Sequence, residues 1–191
     1  MEAALIAAAM TITGWLVSHN LDLRRQRALH QLRSRIEFIE KQLEQLYGPL
    51  NILVLESERS FKELLRVLPR AGSVVFEDGK DLTPEEQETW RFWVEQDLLP
   101  RNERIKDLLM TKMHLVDGNS IPKSYLRFID HHNAWAIHHR RWQKSGIVYE
   151  WRSPTSWPKD FGTDIQRTFE RLKQGYAQAI DTIGGVSGRP N

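Results

Sequence analysis

The chain contains no cysteine. Disulfides, cysteine-ligated zinc and thiol nucleophiles are excluded at once. No GxGxxG or GxxxxGK[ST] occurs, so the sequence offers no standard glycine-rich phosphate loop. Gly185-Val186-Ser187-Gly188 lacks the GxSxG spacing of a nucleophile elbow. Charge of one sign is also lacking. Lys and Arg number 27 against 25 Asp and Glu, a net charge of +2. The acidic residues stand beside basic ones, as on solvated helix faces, and no nucleic-acid partner is expected. Strand-like segments are scarce, with only Val74-Val75-Phe76 and residues 147–151 qualifying. No catalytic residue and no cofactor is expected, so the reading is non-enzymatic.

What the chain does have begins at its start. Ala3 to Val17 is an uncharged apolar run, and Arg24, Arg25, Arg27, Arg33 and Arg35 follow it. Basic residues on one flank only predict a transmembrane anchor over residues 1–21, N-terminus outside and the remainder cytoplasmic. The run is short, roughly 22 Å of helix against a hydrocarbon core of about 30 Å. A cleaved signal peptide would need a basic n-region and a small-x-small site, and Met1-Glu2 and Val17-Ser18-His19-Asn20 supply neither. An interfacial helix would need a basic polar face. A buried helix of a globular domain fits the length. Ala4, Ala7, Thr11, Gly14 and Ser18 form a small-residue stripe suited to close helix contact in lipid. Arg24, Arg25 and Arg27 are placed to meet anionic lipid headgroups.

Leu29, Leu32, Ile36, Ile39, Leu43, Leu46, Leu50 and Leu53 then keep an unbroken 3-4 spacing. That is a heptad seam. Ala7, Thr11, Gly14, Leu29, Leu32, Ile36, Ile39, Leu43 and Leu46 are the candidate partner interface, toward other membrane helices or a second copy. The long helix is expected to run to about residue 47 and to kink at Gly48-Pro49. Helical periodicity continues to Leu68. Thr83-Pro84-Glu85-Glu86 is a capping box with proline at the first helical position. Pro100 should interrupt that helix, and a further piece should span about 102–116. Ser120 and Pro122 open a helix to about Gln143, and residues 144–160 read as a long loop. A last helix is expected over 161–183, stopped by Gly184-Gly185, with a mobile tail over 184–191. The class is all-α: an N-terminal single-pass transmembrane helix, a long heptad-patterned helix, then a cytoplasmic bundle over 22–183. The seven tryptophans are read as core.

The densest chemistry lies in the histidines of IDHHNAWAIHHRRW. His131 and His138 are seven apart, as are His132 and His139. Seven residues is about 10.5 Å of helix rise, too far for one metal ion. The i+4 positions hold Trp135, Ala136, Trp142 and Gln143, none a usual ligand. No metal is expected. His131, His132, His138 and His139 would qualify only with help from Asp130, His114 or another helix.

The segment Lys41 to Leu50, KQLEQLYGPL, resembles a signature of bacterial single-pass membrane proteins with no assigned activity. Trp90, Trp93, the His131–Trp135 stretch and Trp157-Pro158 fit the same pattern. The resemblance implies association with a bacterial inner membrane and names no functional residue. The expectation is a membrane-anchored helical interaction protein, a scaffold, accessory or regulatory subunit of a membrane complex. The alternatives are a membrane-anchored sensor or effector, for example in phage defence, or a His-rich metal-dependent hydrolase.

Overall fold

Thr83 folds as its neighbours dictate. Its hydroxyl accepts the Glu86 backbone N–H at 3.2 Å, and the Glu86 carboxylate accepts the Thr83 N–H at 2.8 Å. The computed structural model describes residues 2–68, 75 and 82–187, with backbone alone for 2–14, 17 and 185–187. The order is α1 (Glu2–Gln42), a π-turn (Leu43–Tyr47), α2 (Gly48–Val67), α3 (Pro84–Trp93), a second π-turn (Val94–Leu98), α4 (Leu99–Thr111), a 3-10 turn (Met113–Leu115), α5 (Lys123–Ser145) and α6 (Phe161–Ser187). Among the described residues there is no strand. The fold is all-α. Of the strand-like Val74-Val75-Phe76, only Val75 lies within the described residues; residues 147–151 are irregular chain.

Three expectations need correction. First, the transmembrane reading of residues 1–21 is not supported. Among the described residues, no helix is long and apolar enough to cross a membrane. The apolar run ends in Ser18-His19-Asn20, and α1 carries on into its arginines.

Second, Pro100 leaves no gap between helices, since α4 begins at Leu99 straight after a π-turn, whereas the junction expected near residue 47 is where the first π-turn meets α2. Proline lacks an N–H and its ring collides with the carbonyl four residues back. Here the turn before each proline widens instead. Gly48 N–H reaches the Leu43 carbonyl and Leu99 N–H reaches the Val94 carbonyl, each five residues back. The widened turn absorbs the proline, and the helix continues. It also explains the glycine. A Cβ at Gly48 would sit 2.6 Å from the Leu43 carbonyl oxygen.

Third, Gly184-Gly185 does not stop α6, which runs to Ser187. Residues 188–191 of the expected tail lie outside the described residues.

Two compact units divide the chain. One comprises residues 1–40 and 173–191. Within it Ile36, Ile39 and Ala179 are buried, while Trp15, Leu16 and Leu21 are exposed. The other comprises residues 41–172. There α4 packs on α2 and on α5. Gln42, also buried, donates to the Leu115 carbonyl at 3.0 Å, and the Tyr47 hydroxyl accepts the Asp117 N–H at 2.9 Å. Leu64, Leu68, Val75, Trp90, Val94, Leu98, Leu99, Trp135 and Trp151 form one apolar cluster. Phe128 and Phe161 stack at 4.5 Å beside Tyr125 and Trp157 in a second aromatic group.

Candidate functional site

Residues 146–160 form no regular structure, yet side-chain hydrogen bonds and an ion pair fasten them to the helices. Trp90 Nε1 donates to the Trp151 carbonyl at 2.7 Å. Ser153 Oγ donates to the His131 carbonyl at 2.9 Å. His131 Nδ1 lies 2.6 Å from the Thr155 carbonyl. Arg127 pairs with Asp160. So held, the segment closes one side of a cavity of about 510 Å³ within residues 41–172. The volume falls in the range of small-molecule sites.

The walls are aromatic. Trp90 and Trp135 stack at 6.2 Å, and Phe61 and Trp157 complete the apolar lining with Val54, Val75 and Leu98. Polar groups lie at two depths. Ser57, Glu58, Arg152, Lys159 and Thr163 line the outer part, with Glu58, Arg152 and Lys159 exposed. Asn102 and His131 are buried, 3% and 6% exposed.

Those two deep residues carry the chemistry. A carbonyl oxygen only accepts, so His131 Nδ1 bears the proton and donates to Thr155. Its Nε2 is therefore a lone-pair acceptor. Burial pushes this imidazole below its ordinary value, and the Thr155 carbonyl pulls it partly back. At neutral pH the ring is neutral. Among the described residues, neither His131 Nε2 nor the Asn102 carboxamide has a hydrogen-bond partner, and neither is among the atoms sealed from solvent. Both open onto the cavity they line.

The other histidines lie outside the cavity lining. His132 Nε2 donates to the Glu103 carboxylate at 2.5 Å, leaving Nδ1 sealed and unpaired. Burial pushes His132 down, against the pull of Glu103. Burial pushes Glu103 up, but the His132 hydrogen bond with Lys106 and Arg140 outweighs it, so the carboxyl sits below its usual value. His138 stacks on Tyr149 at 6.1 Å. His139 Nδ1 meets the Tyr149 hydroxyl at 3.0 Å, and its Nε2 lies 3.9 Å from Glu95. Burial raises the Tyr149 hydroxyl to about 12, against the Trp135 indole facing it. Among the described residues no group of three or more His, Cys, Asp or Glu is placed to hold a metal ion.

Of the candidate interface, Ile36, Ile39 and Leu46 are buried and Leu29, Leu32 and Leu43 half-buried. The side chains of Ala7, Thr11 and Gly14 lie outside the described residues. Arg24, Arg25 and Arg27 are exposed on α1.

Sequence reasoning missed the cavity. Its tryptophans were assigned to core, which holds for Trp90 and Trp135, but they also wall the cavity. The available signal was Asn102, a polar residue at 3-4 spacing between Leu98, Ile105 and Leu109. Compared with family models, curated proteins and solved structures, the chain matches none.

Proposed function

We propose that residues 41–172 form a small-molecule-binding domain and that the protein works as a ligand-responsive sensor or effector. One observation carries this reading. Two buried polar groups, Asn102 and His131 Nε2, have no hydrogen-bond partner among the described residues and line an aromatic cavity. Leaving a buried polar group unpaired is unfavourable, so a fold retains such groups where something else satisfies them. Water or a ligand can do so, and the aromatic walls favour an organic ligand over water alone.

A thermal-shift screen of the full chain with small aromatic compounds tests the reading. Binders should raise the melting temperature. Ser57→Trp, which places bulk at the rim, should abolish the shift. A screen with no binder, or shifts untouched by Ser57→Trp, would refute the assignment.

A second reading concerns residues 1–40. Trp15 is 64% exposed and Leu21 59%, just ahead of Arg24 and Arg27. Exposed apolar residues beside a basic cluster favour association of this arm with an anionic membrane surface or a partner helix, as a regulatory subunit would use. Co-sedimentation of the full chain with vesicles of anionic and neutral lipid tests the first option. Pelleting with anionic vesicles, lost on replacing Trp15 and Leu21 by serine, is the expected result.

A further inference from the structure

We infer that the cavity takes an adenine-type base carrying an anionic group, with the amine-bearing edge of the base on Asn102 and His131. This rests on the ligand-binding reading above and names the ligand's chemistry.

The deep polar groups define the edge. A carboxamide offers one acceptor and a donor pair, side by side. Asparagine reads adenine this way, accepting from the exocyclic amine and donating to the neighbouring ring nitrogen. An amine has a second hydrogen, and His131 Nε2 is the second acceptor, fixed as such by the Nδ1 bond to Thr155. Two acceptors and one donor therefore meet two donors and one acceptor. A base with a carbonyl in place of the amine could still take the carboxamide turned about, but it would set an acceptor against His131 Nε2.

The walls fit the same ligand. Trp90, Trp135 and Trp157 all line the cavity, and aromatic surface of this kind suits a planar heterocycle. The rim addresses the anion. Lys159 lines it and has no ion pair among the described residues. Gly162 and Thr163 belong to the first turn of α6, whose N–H groups carry partial positive charge. Gly162 also lets this turn approach α2: a Cβ there would lie 3.0 Å from Val54 Cγ1 and 3.3 Å from Glu58 Oε1. Glu58 opposes an anion, but it is exposed and solvated, whereas Arg152 adds a second cation paired with Glu150 at 2.6 Å.

The full chain is titrated with AMP, IMP and adenosine, followed by tryptophan fluorescence and calorimetry. AMP should bind, and IMP should bind at least roughly tenfold more weakly because it leaves the buried His131 Nε2 without a donor. Adenosine should fall between them. Asn102→Leu should erase the preference for AMP over IMP, and Lys159→Gln should erase the preference for AMP over adenosine. The comparison of AMP with IMP uses the unaltered protein, so a variant that fails to fold does not remove the test. Equal binding of AMP and IMP would overturn the base assignment. Binding of unrelated aromatic compounds without AMP would overturn it too, while leaving the ligand-binding reading intact. If nothing binds at all, both fall.

Discussion

Trp90 Nε1 donates to the carbonyl of Trp151 across 2.7 Å, and Trp151 itself sits at φ 58°. The left-handed region is costly for a bulky side chain. Packing holds it there: Trp151 lies 4.6 Å from Trp142 and 5.2 Å from Tyr149, with the Arg91 guanidinium 5.0 Å over its ring. Trp90 thus does two jobs, walling the cavity and pinning the loop that closes it.

Trp90→Phe keeps most of the aromatic wall but orphans a carbonyl that now has a donor. The expected cost is about 1–3 kcal/mol, the usual penalty for a buried unpaired group. Urea denaturation measures it. Limited proteolysis should also cut within 146–160 sooner. A variant as stable as the parent and equally resistant would show that the hydrogen bond does not hold the loop.

Gly48→Ala reverses an ordinary rule. Within a helix, alanine is favoured over glycine by about 1 kcal/mol. At Gly48 the new methyl would meet the Leu43 carbonyl oxygen at 2.6 Å. The π-turn would have to deform, so the variant should melt below the parent. A higher melting temperature would mean the turn relaxes at little cost. Gly175, where a Cβ meets nothing within 4 Å among the described residues, is the control and should gain stability as alanine.

The helical class was legible because apolar residues recur at helical spacing from Leu29 onward and the cap at Thr83 has one strong local solution. The π-turns ahead of Pro49 and Pro100 were not, because a π-turn leaves no mark in hydrophobic periodicity. It costs one extra residue per turn and nothing in composition. The cavity was half legible. Asn102 breaks an apolar stripe and His131 sits between Phe128 and Trp135, so both polar positions can be spotted on their helices. What no helical pattern reveals is that residues 151–159, far along the chain, fold back to close the space between them.

Acid should weaken the fold. His131, His132 and His139 are each held below their ordinary 6.5, burial being the main cause in all three. The unfolded chain then binds protons that the folded chain refuses. Stability from this source is complete above about pH 6.5 and is lost as pH falls from there through the depressed values. Melting temperature should therefore hold steady just above neutrality and drop toward pH 5. In His139→Gln the drop should be shallower, since the group facing Glu95, Tyr149, Trp142 and Trp151 no longer titrates. An unchanged slope would assign the acid sensitivity to other groups.

The leucine seam makes a graded prediction. Leu46 and Leu50 are fully enclosed, Ile39 is nearly so, and Leu29 is half-buried. Truncating a packed aliphatic side chain removes its transfer energy and leaves a cavity, together about 2–5 kcal/mol for leucine to alanine. Leu46→Ala should reach that range and Leu29→Ala should fall well short of it, because a half-exposed site loses less apolar contact and water fills the gap. Leu46→Glu should be worse than either, as an unpaired carboxylate would face an apolar layer. Chemical denaturation of the three variants beside the parent gives the ranking. If Leu29→Ala cost as much as Leu46→Ala, contacts outside the chain's own fold would have to cover Leu29. A self-associating seam would then show as concentration-dependent melting. Equal costs without such dependence would leave the burial gradient along the seam without energetic meaning.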